Sequence, residues 1–133
     1  MYNYYWIPAV GEPQLIESEE SVNKVWHDLM NDPDHHLLFE SVHNRLSSDI
    51  VFLVDECGKL KPHAINKFAS LFYPGTSFGD YIAGNVLICK IIDVPYTEDN
   101  EVLFYEKDLG SLTSQDITLI NYFLYLYSLE RKK

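Results

Sequence analysis

Asp49-Ile50-Val51-Phe52-Leu53-Val54-Asp55-Glu56-Cys57-Gly58 is the stretch on which the fold turns. Five apolar residues stand in a row from Ile50 to Val54, with no polar side chain between them, which reads as a buried strand. The run ends in Asp55-Glu56-Cys57-Gly58, where Gly58 can supply the positive φ of a tight hairpin, and Leu60 is expected to lead into the returning strand.

Working outward, Asn3 to Val10 is extended, meets the turn signal Gly11-Glu12-Pro13 and continues as Gln14-Leu15-Ile16-Glu17, a strand pair or one bent strand. Ser18 reads as a helix cap with Glu19 and Glu20 in the first turn, and Val22, Val25, Trp26 and Leu29 recur at helical spacing until Asn31-Asp32-Pro33. His36 to Val42 is apolar enough for a strand, and Leu37-Leu38-Phe39 equally suits a short buried turn of helix. Asn66 is suited to cap a helix through Tyr73, with Phe68, Ala69 and Phe72 on its apolar face and Pro74-Gly75 ending it. Tyr81 to Ile92, divided by Gly84-Asn85, and Glu101 to Tyr105 read as two more strands.

Thr113-Ser114-Gln115-Asp116 is a capping pattern that opens a helix to about Leu129. This helix is apolar nearly all round: Ile117, Ile120, Leu124 and Tyr127 define one face, while Tyr122, Tyr125 and Leu129 lie toward another. Such a helix is either central in its domain or buried against a second chain, and a homodimer contact through it is the second of these two readings. Strands and helices without a regular βαβ period predict a single α+β domain over residues 1–133, with a mostly antiparallel sheet and two or three helices, the last aromatic-rich.

The chain has 133 residues, 47% hydrophobic and 14% aromatic, enough to bury a core without disulfide or metal and too apolar to be disordered. Cys57 and Cys89 make no disulfide framework, MYNYYWIPAV lacks the marks of a signal peptide, and Ile117 to Leu129 is too short and interrupted for a membrane span. A cytoplasmic protein is expected. Twenty acids stand against ten bases, a net charge of -10, yet the excess is uneven. Residues 59–92 carry Lys59, Lys61, Lys67 and Lys90 against Asp80 alone, a basic island between two acidic flanks. Direct DNA or RNA binding is disfavoured, because affinity for phosphate backbones comes from Lys and Arg displacing counterions. Two readings survive: the acidic parts imitate a polyanion, or the island holds a small anion.

The anion reading brings Lys59, Lys61, His63, Asn66 and Lys67 together beside the N-terminus of the short helix, without any phosphate-cradling glycine loop. The protein-contact reading uses Glu12, Glu17, Glu19, Glu20, Asp32 and Asp34, with Tyr122 and Tyr125 as aromatic anchors. Asp32, Asp34, His35 and His36, flanked by His27 and His43, lack zinc-ligand spacing, so no metal is assigned. Cys57 with His63 as its base lacks an orienting third group, and Asp55-Glu56 reads as a solvated pair in a turn. Neither catalytic residues nor a cofactor are assigned, and no enzyme activity is expected.

The block from Val54 to Ser70, with Asp55-Glu56-Cys57-Gly58-Lys59-Leu60 and Asn66-Lys67-Phe68-Ala69-Ser70, followed by Asp80-Tyr81-Ile82-Ala83-Gly84-Asn85-Val86-Leu87-Ile88, resembles a recurring signature. Trp6 to Pro13 is similar to the opening strand of the same family. That family is a small phage and mobile-element domain, domain of unknown function 3846, found especially in low-GC Gram-positive bacteria. The resemblance covers about residues 4–92 and leaves 93–133 as an acidic, aromatic C-terminal extension. It implies a genetic setting and no catalytic residues. In that setting, the leading expectation is a binding protein that antagonises a host defence protein, in the manner of anti-CRISPR or anti-restriction proteins. The alternatives are a module sequestering a nucleotide-derived immune signal, and a structural or accessory protein of the mobile element.

Overall fold

The computed structural model describes residues 1–32 and 37–131. Among them are six strands, β1 (Tyr2–Ile7), β2 (Gln14–Ser18), β3 (Phe39–Val42), β4 (Ile50–Asp55), β5 (Val86–Glu98) and β6 (Glu101–Gly110). Three α-helices accompany them: α1 (Val22–Leu29), α2 (Lys67–Leu71) and α3 (Ser114–Arg131). The strands form one sheet in the order β2-β1-β5-β4-β3, with β6 also on β5, and every pairing is antiparallel. The fold is the expected α+β domain with an aromatic C-terminal helix.

The apolar run of β4 is explained by burial on both faces. Ile50, Phe52 and Val54 join Tyr5, Ile7, Val86 and Ile88 beneath Phe68 and Ala69 of α2 and Ile120 of α3. Val51 and Leu53 join Tyr4, Trp6, Leu87 and Cys89 beneath Val22, Val25 and Trp26 of α1. Because side chains alternate across a strand, a run without polar residues requires a cover on each side, and the helices provide both.

Local signals behave unevenly. Asn66 accepts from the Ala69 N–H at 3.1 Å, as a cap should. The box at α3 closes in both directions: the Thr113 N–H donates to Asp116 Oδ2 at 2.8 Å, and the Asp116 N–H donates to Thr113 Oγ1 at 3.2 Å. By contrast, α1 begins after Ser21, and Ser18 Oγ instead accepts from the Glu20 N–H at 3.0 Å, so Glu19 and Glu20 precede the helix. Gly58 starts a short 3-10 turn (Gly58–Leu60) and no strand returns from it. Its missing Cβ serves packing, since a methyl there would stand 3.0 Å from the Ala83 carbonyl oxygen. The strand expected at 81–92 starts at Val86, after Gly84 at φ 86°.

The largest departure is at β5 and β6. β5 pairs with β1 and β4 through residues 86–90, runs on to Glu98, and returns as β6 as far as Gly110. Asp99 (φ 51°) and Asn100 (φ 65°) form the two-residue turn, the left-handed pair that matches the twist of a hairpin. From Ile92 to Asp108 the two strands pair only with each other, leaving an arm with an open edge on each side. The 92/93 boundary of the family-like region therefore falls inside a continuous strand.

Candidate functional site

The basic island is divided among three places. Asp55, at the end of β4 and 5% exposed, accepts from the Cys57 N–H at 3.0 Å and from Lys61 Nζ at 2.6 Å, and its Oδ2 lies 3.7 Å from His63 Nε2. Burial pushes the Asp55 carboxyl up, but Lys61, the Cys57 N–H and His63 together hold it below the ordinary carboxylate value. Lys59 is ion-paired to Asp80, whose other oxygen accepts from Tyr73 Oη at 3.0 Å. Three lysines of the island are thus paired with carboxylates, Lys59 with Asp80 inside it and Lys61 and Lys90 with Asp55 and Asp116 outside it. Asp55 lies beside His63, but its carboxylate is already committed to Lys61 and the Cys57 N–H.

Asn66 is committed as well. Its side chain donates to the carbonyls of Ile7 at 2.9 Å and Gly84 at 3.0 Å and accepts from Ala69, while its own N–H donates to the Ile82 carbonyl at 2.8 Å. Asn85 Oδ1 accepts from the Ala9 N–H at 2.9 Å. These contacts tie β1, the segment before β5 and α2 into one corner, so the Asn and Gly-Asn of the signature hold the fold together. At five residues, α2 is too short to offer a helix-end anion site.

Lys67 projects elsewhere. It lines a groove of about 820 Å³ between the β1–β2 loop (residues 8–13), residues 64–68 and the outer turns of α3. Arg131, Asn121, Tyr125 and Tyr127 of α3 line the opposite wall, and Glu12 stands at the loop. Arg131 lies over the Tyr127 ring at 5.6 Å from its centroid, and Asn121 Oδ1 accepts from Tyr5 Oη at 2.6 Å. Sequence reasoning found Lys67 and Tyr125 but missed Arg131, which only the packing of α3 beside Lys67 brings in.

The acidic candidates do not form one face. Glu17, Glu19 and Glu20 are exposed on β2 and the approach to α1, and Glu12 is at the groove. Asp32 is 8% exposed, accepts from the Leu37 N–H at 2.8 Å and lies 2.8 Å from His27 Nδ1, a position inside the fold that removes it from any contact surface. Asp34 lies outside the described residues, as do His35 and His36. Tyr122 and Tyr125 are exposed on α3.

The arm was missed as a surface. It carries Asp93, Glu98, Asp99, Glu101, Glu106 and Asp108 against Lys107 alone. Between these acids Val94, Tyr96, Val102, Leu103, Phe104 and Tyr105 are all exposed. Tyr96 and Phe104 are cross-strand partners and stack with ring centroids 4.7 Å apart. Its sequence signals are Asp99-Asn100 and the apolar run Val102 to Tyr105.

Among the described residues no helix is long and apolar enough to cross a membrane, and no group of His, Cys, Asp and Glu is placed to hold a metal ion. No family model, curated protein or solved structure matches this chain.

Proposed function

We propose that this is a cytoplasmic, phage- or mobile-element-encoded binding protein that antagonises a host defence protein by stoichiometric contact. The observation that carries the reading is the arm from Ile92 to Asp108, where exposed aromatic and aliphatic side chains sit among acids on a ribbon with two open edges. Apolar patches of this kind mark interaction sites, and aromatic residues dominate the energy of protein interfaces. The surrounding carboxylates select a basic partner surface and steer its approach, the surface that nucleic-acid-directed defence enzymes use for their substrate. Glu17, Glu19 and Glu20 extend the negative field, and the outer side of α3, with Tyr122, Leu126 and Leu129, is the surface for a homodimer.

The test is phage plating on bacterial hosts that carry restriction or CRISPR immunity and express this chain. Restored plating that Phe104→Lys with Tyr96→Lys abolishes supports the reading. Plating unchanged by the chain on every such host, or restored equally by the arm variant, overturns it. For a captured target, affinity should fall as salt is raised; affinity that rises with salt overturns polyanion mimicry.

A further inference from the structure

We infer that the groove between the β1–β2 loop and α3 is a binding site for a small planar organic phosphate of the nucleotide class, independent of the arm. Lys24, Lys59, Lys61, Lys90 and Lys107 are ion-paired to Asp28, Asp80, Asp55, Asp116 and Asp93. Arg45 donates to the Ser77 hydroxyl at 2.6 Å. Lys67 and Arg131 make no ion pair among the described residues, and both line this one groove. Of the three described cations without an ion pair, the third being Arg45, two thus meet at one place in a chain with twice as many acids as bases, and charge complementarity there favours an anion.

The rest of the groove narrows the class. Arg131 and Lys67 suit a phosphate, the first as a planar fork and the second as a point charge. Asn121 accepts from Tyr5 through Oδ1, which leaves its amide N–H groups as donors. Tyr125 is 60% exposed, so its ring is open to a planar group, and stacking on aromatic rings is how proteins hold nucleobases without reading their sequence. The volume of about 820 Å³ lies in the range of small-molecule sites. Glu12, the carboxylate at the rim, opposes the ligand and limits its affinity.

Calorimetric titration of the full chain with the four ribonucleoside 5′-monophosphates, adenosine and inorganic phosphate tests this. We expect saturable one-to-one binding of at least one nucleotide, with the nucleoside and inorganic phosphate each about tenfold weaker or more. Lys67→Glu and Arg131→Glu should each weaken binding by about tenfold or more, and Glu12→Gln should strengthen it. All three positions are exposed, so the fold is retained, which matching melting curves will verify. No saturable binding at millimolar nucleotide, equal affinity in the Lys67 and Arg131 variants, or inorganic phosphate binding as well as the nucleotides would each overturn the inference. Arm variants that abolish plating should leave nucleotide binding intact, so the two readings fail separately.

Discussion

The side-chain amide of Asn66 donates to the backbone carbonyl of Ile7 at 2.9 Å, a bond between residues 59 positions apart that fastens the start of α2 to β1. Asn66→Ala would remove this bond, its twin to the Gly84 carbonyl and the cap on α2, three bonds made by one buried side chain. We expect a loss of about 3–5 kcal/mol, measured as a lower urea midpoint. Asn66→Asp should be about as damaging despite keeping the cap acceptor, because it loses both donated bonds. A cost below about 1 kcal/mol would show that the corner is held by other contacts.

Asp55 and Asp116 set the acid limit of stability. Burial pushes the Asp116 carboxyl up, but the Thr113 N–H and hydroxyl and the nearby Lys90 hold it below the ordinary value, as Lys61 and Cys57 do for Asp55. For a carboxyl depressed in the folded state, the stabilisation is fully present above the unfolded value, 3.8, and is lost as pH falls through the folded one. Urea midpoints should therefore be flat with respect to this pair above about pH 5 and decline below about pH 4. Asp55→Asn with Asp116→Asn should lower the neutral-pH midpoint and flatten the acid decline; an unchanged decline would assign it to other carboxylates.

Hydrogen exchange should grade along β5. The amides of Leu87 to Lys90 lie between β1 or β6 on one side and β4 on the other, whereas those of Val94 to Glu98 have β6 alone. An isolated two-stranded ribbon is marginally stable in water, so peptides covering 94–105 should exchange through local opening well before those covering 86–90. Uniform protection over both would mean that the arm is covered in solution.

The two thiols should separate cleanly. Cys57 is exposed, while Cys89 is 0% exposed and burial pushes it up to about 12. Iodoacetamide at neutral pH should modify one cysteine in the native protein and both in urea, read by intact mass. Native modification of Cys89 would contradict its place under α1.

What the sequence made legible was local. The run Ile50 to Val54, the Asn66 cap and the Thr113–Asp116 box each carry their signal within a few residues, and each appears as expected. The arm was underestimated because a ribbon open on both faces shows no burial alternation, and Pro95 interrupts its pattern. The island was misjudged as a unit because Asp80, 21 residues from Lys59, and Asp55, six from Lys61, reach their partners only in three dimensions. The groove was half legible for the same reason: Lys67 lay in the island, but Arg131 joins it only when α3 folds back over the sheet.

The open edges of the arm bear on how the protein behaves when concentrated. Two ribbons of this kind carry unpaired backbone groups able to add to one another, and at neutral pH the carboxylates on the arms repel and oppose that pairing. Near the isoelectric point of about 4.7 that repulsion fades before Asp55 and Asp116 give way, so the folded protein should lose solubility before it loses its fold. Mild acidification would then yield assemblies joined edge to edge, with the core of each copy still intact.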